Sequence, residues 1–96
     1  MAKGYWIAHI EVRDAENYKP YLLAATEAVK SFGGQFLVRG EDYEQVEGRL
    51  KPRHILVEFD SYERARECYH SDAYQRAASL RRPYSDGDIV IVRGAG

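Results

Sequence analysis

Gly33-Gly34-Gln35-Phe36-Leu37-Val38-Arg39-Gly40 is the stretch on which the fold turns. It is a glycine pair, a run with strand chemistry and a closing glycine. Glycine reaches positive φ without steric cost, so Gly33 and Gly34 can end a helix and reverse the chain. Phe36, Leu37 and Val38 suit a pleated, buried surface, and Arg39 sets a fixed cation at the end of that strand. The residues before this stretch read as strand then helix, and those after it as strand, helix, strand.

Upstream, Gly4 to Val12 alternates, with Trp6, Ala8, Ile10 and Val12 on one side and Tyr5, Ile7, His9 and Glu11 on the other. Period two over such a length predicts a strand with one wholly apolar face. Asp14 has the chemistry of a helix N-cap, and Tyr18, Leu22, Ala25, Val29 and Phe32 then recur at spacings of three and four. Pro20 removes a backbone donor in the first turns, so an irregular or kinked start is expected before the helix ends at Gly33.

Downstream, the second strand covers Gln35 to Arg39, with Phe36 and Val38 on one face and Gln35, Leu37 and Arg39 on the other. Residues 40–52 turn polar and predict a loop with the character of a lid. Arg53 to Phe59 alternates again, Ile55, Val57 and Phe59 against His54, Leu56 and Glu58. Ser61 caps a helix, Ser71-Asp72 restarts it, and Pro83 stops it. Ser85-Asp86-Gly87 reads as a turn before a last strand at Ile89 to Val92.

The resulting order is β-α-β-β-α-β, a ferredoxin-like α+β arrangement over a single domain, residues 1–96. Right-handed crossovers place both helices on one face of a four-stranded antiparallel sheet. The opposite face has no cover of its own. It is expected to carry Tyr5, Ile7, Leu37 and Leu56 among His9, Glu11, Arg39, His54 and Glu58. An exposed face of that kind binds something, and the apolar last strand lies at a sheet edge, so a second copy is expected to cover it, sheet against sheet.

Five blocks in chain order then carry a resemblance: Lys3-Gly4-Tyr5-Trp6-Ile7-Ala8, the Gly33 to Gly40 stretch, Val46-Glu47-Gly48, Glu58-Phe59-Asp60-Ser61, and Tyr69-His70-Ser71-Asp72-Ala73-Tyr74-Gln75. Together they resemble the small bacterial family known as domain of unknown function 1330. The resemblance implies the dimeric α/β-barrel superfamily, in which two sheets close one barrel. Cofactor-free monooxygenases, muconolactone isomerase and haem-binding dismutases are relatives there. It implies no assigned activity. Asp60 departs from the family pattern, which often has proline in that slot.

Candidate chemistry falls in two groups. His9, Arg39, His54 and Glu58 share a sheet face if alternation is unbroken. A histidine beside a carboxylate and an arginine is an acid-base and anion-binding set, with His9 and Glu58 as the catalytic candidates. Arg39 could hold a carboxylate through paired hydrogen bonds, although an Arg-Glu pair at an interface is often purely structural. The chain also has eight tyrosines in 96 residues. Tyr18, Tyr21, Tyr69 and Tyr74 lie on helices, where Tyr18 and Tyr74 could meet a ligand between helices and sheet, with Trp6 lining the space; core filling is the commoner use of such residues.

Other classes are argued against. Fourteen basic and fifteen acidic residues give a net charge of -1, which lacks the electrostatic footprint of a nucleic-acid binder or a polybasic membrane anchor. The histidines are not at i, i+4 spacing and Cys68 is the one cysteine, so no metal site is expected. No residue pattern points to a cofactor. The apolar run from Tyr5 is broken by His9 and Glu11, so neither a secretory leader nor a membrane span is expected, and the expected location is cytoplasmic. The reading is a cofactor-independent enzyme or binder for a small organic or aromatic acid, of oxygenation or isomerisation type by superfamily analogy. The alternative is a non-catalytic dimeric module that binds a metabolite or partner.

Overall fold

The computed structural model describes residues 2–96. Four strands and three α-helices run in the order β1 (Gly4–Val12), α1 (Ala15–Ser31), β2 (Gln35–Gly40), β3 (Arg53–Phe59), α2 (Tyr62–His70), α3 (Asp72–Arg81) and β4 (Ser85–Arg93). The sheet runs β2-β3-β1-β4 with every neighbouring pair antiparallel, which is the ferredoxin-like topology. The Cα envelope measures 38 × 34 × 16 Å, a slab of one helical layer on one sheet.

Local chemistry sets the helix ends. The Asp14 carboxylate accepts from the backbone N–H of Asn17 and from the Asn17 side chain, and these hydrogen bonds hold its pKa below the usual carboxylate value. Ser61 caps α2 in the same way, while Ser71 ends α2 and caps α3. Pro20 is accommodated inside a continuous α1. At its C-terminus the Gly33 N–H bonds to the Lys30 carbonyl (3.0 Å) and the Gly34 N–H to the Val29 carbonyl (2.9 Å), a Schellman pair that requires the positive φ of 78° at Gly33. Gly34 is needed for a different reason. A Cβ there would lie 2.6 Å from Val29 Cγ1 and 2.8 Å from Phe59 Cε1.

Two expectations are corrected. The chain turns from α3 through a 3-10 segment at Arg82–Tyr84, and Ser85, Asp86 and Gly87 belong to β4, paired with Val12, Glu11 and Ile10. Early strand pairing is possible because Pro83 already breaks the helix. The larger correction lies in β2. Phe36 pairs with Val57 but Val38 with Leu56, so Leu37 is an extra, bulged residue. Beyond the bulge the alternation inverts: Val38 turns to the open face and is 47% exposed, and Arg39, opposite Ile55, turns toward the helices.

The core lies between the helices and the sheet, where Trp6, Ile10, Val29, Val57, Phe59 and Tyr74 are almost fully buried. Trp6 anchors it, its ring packed against Phe59, Tyr69 and Tyr74 and its Nε1–H donated to the Ala65 carbonyl at 2.9 Å. The other sheet face is uncovered, with Val90 53% exposed beside Ile7, Leu56 and Val38.

Candidate functional site

A cleft opens between α1, α3 and the sheet. Its internal space is small, about 30 Å³, on the scale of a water molecule. Small side chains at Ala8 on β1 and Ala25 on α1 leave this space, and Trp6, Ile55, Val57 and Leu22 supply its apolar walls. The polar groups gather toward one end. Arg53 starts β3 opposite Ile10, and Arg39 sits opposite Ile55, so the two arginines are diagonal neighbours on adjacent strands. At such spacing long side chains reach a common point.

Arg39 is held there by two contacts. Its guanidinium lies 4.1 Å from the centre of the Phe36 ring, and Nη2 donates to Thr26 Oγ1 on α1 at 2.8 Å. Arg53 is one-fifth exposed at its side chain and lies 3.9 Å from the Glu41 carboxylate, while its Nε is buried without a hydrogen-bond partner. Tyr18, from the first turns of α1, is 3% exposed and its hydroxyl also has no partner. Burial raises the Tyr18 pKa against the opposing pull of Arg53, Arg81 and Arg39, so the phenol stays protonated and its hydroxyl is free to donate.

Deeper in, the Tyr21 and Tyr74 hydroxyls bond to each other at 2.9 Å, with the Arg81 guanidinium over the Tyr21 ring at 5.6 Å. Burial pushes Tyr21 well above the usual phenol value. Arg81 is itself 6% exposed. No carboxylate lines the cleft, so an apolar space carries guanidiniums at its mouth without an internal counter-ion.

Trp6, Tyr18, Tyr74 and Arg39 are thus brought together, as is Tyr21; Tyr69 instead packs behind Trp6. His9 and Glu58 lie on the other side of the sheet, and the expected grouping of Arg39 with them is corrected by the Leu37 bulge. Nor do those two meet each other. His9 pairs with His54, four residues before Glu58 on β3, a separation of about 13 Å along the strand. His9 Nδ1 lies 2.9 Å from His54 Nδ1, Tyr43 packs edge-on against His54, and Glu58 accepts from the Tyr5 hydroxyl at 3.2 Å. Burial and that hydrogen bond raise the Tyr5 pKa.

Sequence reading missed Arg53 and Arg81. Arg53 was legible in principle, because alternation through Ile55, Val57 and Phe59 sets it on the core-facing side of β3. Cys68 is fully buried and its thiol is pushed up to about 12 by burial, the state of an inert small hydrophobe. Among the described residues no helix is long and apolar enough to cross a membrane, and no three His, Cys, Asp or Glu side chains converge as a metal ion requires.

The fold is shared with solved structures of low sequence identity. A protein of unknown function from Rhodopseudomonas palustris superimposes with a TM-score of 0.76 at 14% identity, over 99% of this chain and 84% of the other. SnoaB, a cofactor-independent oxygenase from Streptomyces nogalater, gives 0.68 at 8% identity, over 96% and 92%. A dimeric ferredoxin-like protein of unknown function from Thermobifida fusca gives 0.63 at 16%, over 99% and 92%. Comparison with curated proteins gives no match. The family model described as domain of unknown function (DUF1330) matches residues 3–95, nearly the whole sequence, and the chain belongs to that family.

Proposed function

We propose that the protein binds a small organic acid in the cleft between helices and sheet, as a homodimer and without a cofactor. The observation that carries this reading is the cationic mouth of an otherwise apolar space: Arg39 and Arg53 with no lining carboxylate, the exposed Glu41 lying 3.9 Å from Arg53 outside it, beside the unpartnered Tyr18 hydroxyl. An apolar pocket with a few convergent polar groups is the usual form of a small-molecule site. The acid's anion meets the guanidiniums, and its body enters between Ala8, Ile55 and Trp6 as α1 and α3 move outward from a space that now measures about 30 Å³. A protonated, buried phenol suits stabilising an enolate oxygen, which supports oxygenation or isomerisation chemistry; the structural neighbour from Streptomyces is described as a cofactor-independent oxygenase.

A second copy covers the open sheet face. Four strands of six to nine residues present roughly 500 Å², and Val38 and Val90 on that face are about half exposed. The dimer reading predicts that Val90→Asp converts a dimer to a monomer in sedimentation. A wild-type monomer at micromolar concentration would refute it.

Binding without turnover is a second reading. It is favoured by the position of His9 and Glu58, which within one chain face away from the anion site. A thermal-shift screen against small aromatic and aliphatic acids, followed by product analysis on each hit, separates the two. Ligand at a hundred times its Kd adds ~2.7 kcal/mol, and each kcal/mol moves the midpoint of a domain this size by roughly 4–8 °C. Shifts of that size support the site, and product formation selects the enzyme. Silence across the acids refutes both.

A further inference from the structure

Among the described residues Arg81, at the end of α3, is the one charged side chain that is buried, at 6% exposure. Its Nε–H has no hydrogen-bond partner. The guanidinium lies over the Tyr21 ring at 5.6 Å, a contact that leaves Nε unmet. The acids either side of Gly87 are turned away from it. Asp86 and Asp88 sit opposite Glu11 and His9 on the open sheet face, and they pair with Arg13 and Lys51. Burying a cation in this way is unfavourable until an anion meets it.

The sheet register ties Arg81 to the acid site. Arg53 of β3 and Gly87 of β4 pair with Ile10 of β1 from opposite sides, so the three form one row across the sheet on its helix side. A Cβ at Gly87 would stand 3.9 Å from Arg81 Nη1, which sets the guanidinium over that end of the row. Two strand spacings, roughly 10 Å, separate β3 from β4. Arg53 and Arg81 thus bracket Ile10, and the Tyr18 phenol feels both of them together with Arg39. Resting on the organic-acid reading of the cleft, we propose that the ligand is a short dicarboxylate, with one carboxylate on Arg39 and Arg53 and the second on Arg81.

The groups beside Arg81 suit that second carboxylate. Tyr21 and Tyr74 line the cleft, and each hydroxyl carries one proton. One proton is used in their mutual 2.9 Å bond, and the other is free to donate. With the Arg81 Nε–H it offers a carboxylate two donors, one of them charged, and such charge-assisted bonds are the strong ones. Tyr21 comes from α1, and Tyr74 and Arg81 from α3, so the outward movement that admits the acid opens this end as well. A methyl ester in place of the second carboxylate would bring no charge and leave the Arg81 cation unneutralised.

The test is calorimetric titration of malonate, succinate and glutarate, each beside its monomethyl ester, into wild type, Arg81→Met and Arg39→Gln. Hydrogen bonds to a charged group are strong enough that at least one diacid should bind wild type about tenfold or more tighter than its ester. Arg81→Met should erase that ratio by weakening the diacid while leaving the ester unchanged, and Arg39→Gln should weaken both. The wild-type ratio needs no variant. Arg81→Lys, which keeps the charge but not the Nε donor, stands in if Arg81→Met does not fold, and should shrink the ratio. Esters that bind wild type as tightly as their diacids, with both weakened by Arg39→Gln, overturn the second carboxylate while the cleft reading survives. Equal weakening of diacid and ester by Arg81→Met also overturns it, since one anion would then be shared by all three guanidiniums. A ratio unchanged in Arg81→Met marks Arg81 as structural and overturns the assignment. If neither diacids nor esters bind wild type, the underlying reading falls as well.

Discussion

Removing the same atom from two neighbouring tyrosines should have opposite effects on stability. The Tyr18 hydroxyl is buried with no partner in the protein, whereas the Tyr21 hydroxyl shares a 2.9 Å hydrogen bond with Tyr74. A buried hydroxyl left unsatisfied costs about 1–3 kcal/mol, and deleting it removes that cost without breaking a bond. Tyr18→Phe should therefore leave the ligand-free protein as stable as wild type or more stable, by up to about 2 kcal/mol. Tyr21→Phe deprives Tyr74, which is 1% exposed, of its phenolic partner and should lose about 1–3 kcal/mol. Urea unfolding gives the comparison directly, since a shift in midpoint at constant m reports stability alone. On heating, the two variants should separate by roughly 10 °C, at 4–8 °C per kcal/mol. Tyr18→Phe should at the same time weaken acid binding, because the donor lost is one the ligand uses. Equal destabilisation by the two substitutions would show that the Tyr18 hydroxyl is already satisfied, and the reasoning from its isolation would fail.

Gly34→Ala drives a Cβ into Val29 and Phe59 and should cost about 1–3 kcal/mol by overpacking, visible as a lowered urea midpoint; an unchanged midpoint would mean that the helix end relaxes freely. Alkaline stability should be flat below pH 9 and then fall. Burial holds Cys68 near 12 against its ordinary 9.0 and raises Tyr18 and Tyr21, so above pH 9 the unfolded chain loses protons that the folded one keeps, at up to about 1.4 kcal/mol per pH unit per group. Urea midpoints at pH 8, 10 and 11 would reveal the slope, and Cys68→Ala should reduce it between pH 9 and 12. Deleting Leu37 removes the bulge but leaves Arg39 opposite Ile55, so the shortened chain should fold and still bind acids; a folded variant that has lost binding would contradict the assignment of Leu37 as the extra residue.

Much of the fold was legible because its signals are local. Asp14, Ser61 and Ser71 are caps by the chemistry of their own side chains, and Gly33-Gly34 marks a helix end through backbone freedom and close packing that no other residue pair supplies. The family blocks and the β-α-β-β-α-β order came from the same kind of signal. Arg39 was legible as an anion holder but not as to which side of the sheet it serves. Period-two alternation assumes one residue per step, and nothing in Phe36-Leu37-Val38 announces that Leu37 is extra, since all three are good strand residues. The bulge moves Arg39 away from His9 and Glu58 and toward Tyr18, which dissolves one candidate site and completes another. Arg53 and Arg81 were passed over because a basic residue at a strand start or helix end reads as solvated. Their burial depends on what packs across from them, and that is settled only in three dimensions.

Trp6 is the one tryptophan of the chain and lines the cleft, so its fluorescence reports occupancy of the site where it stands. The central claim is that this cleft holds a small organic acid, and titrating benzoate while recording Trp6 emission tests it most directly, with Ala25→Leu as the variant that fills the space while leaving every arginine in place. The account predicts a saturable change in wild type that is lost in Ala25→Leu. No saturable change in wild type, or the same change with the cleft filled, would contradict it.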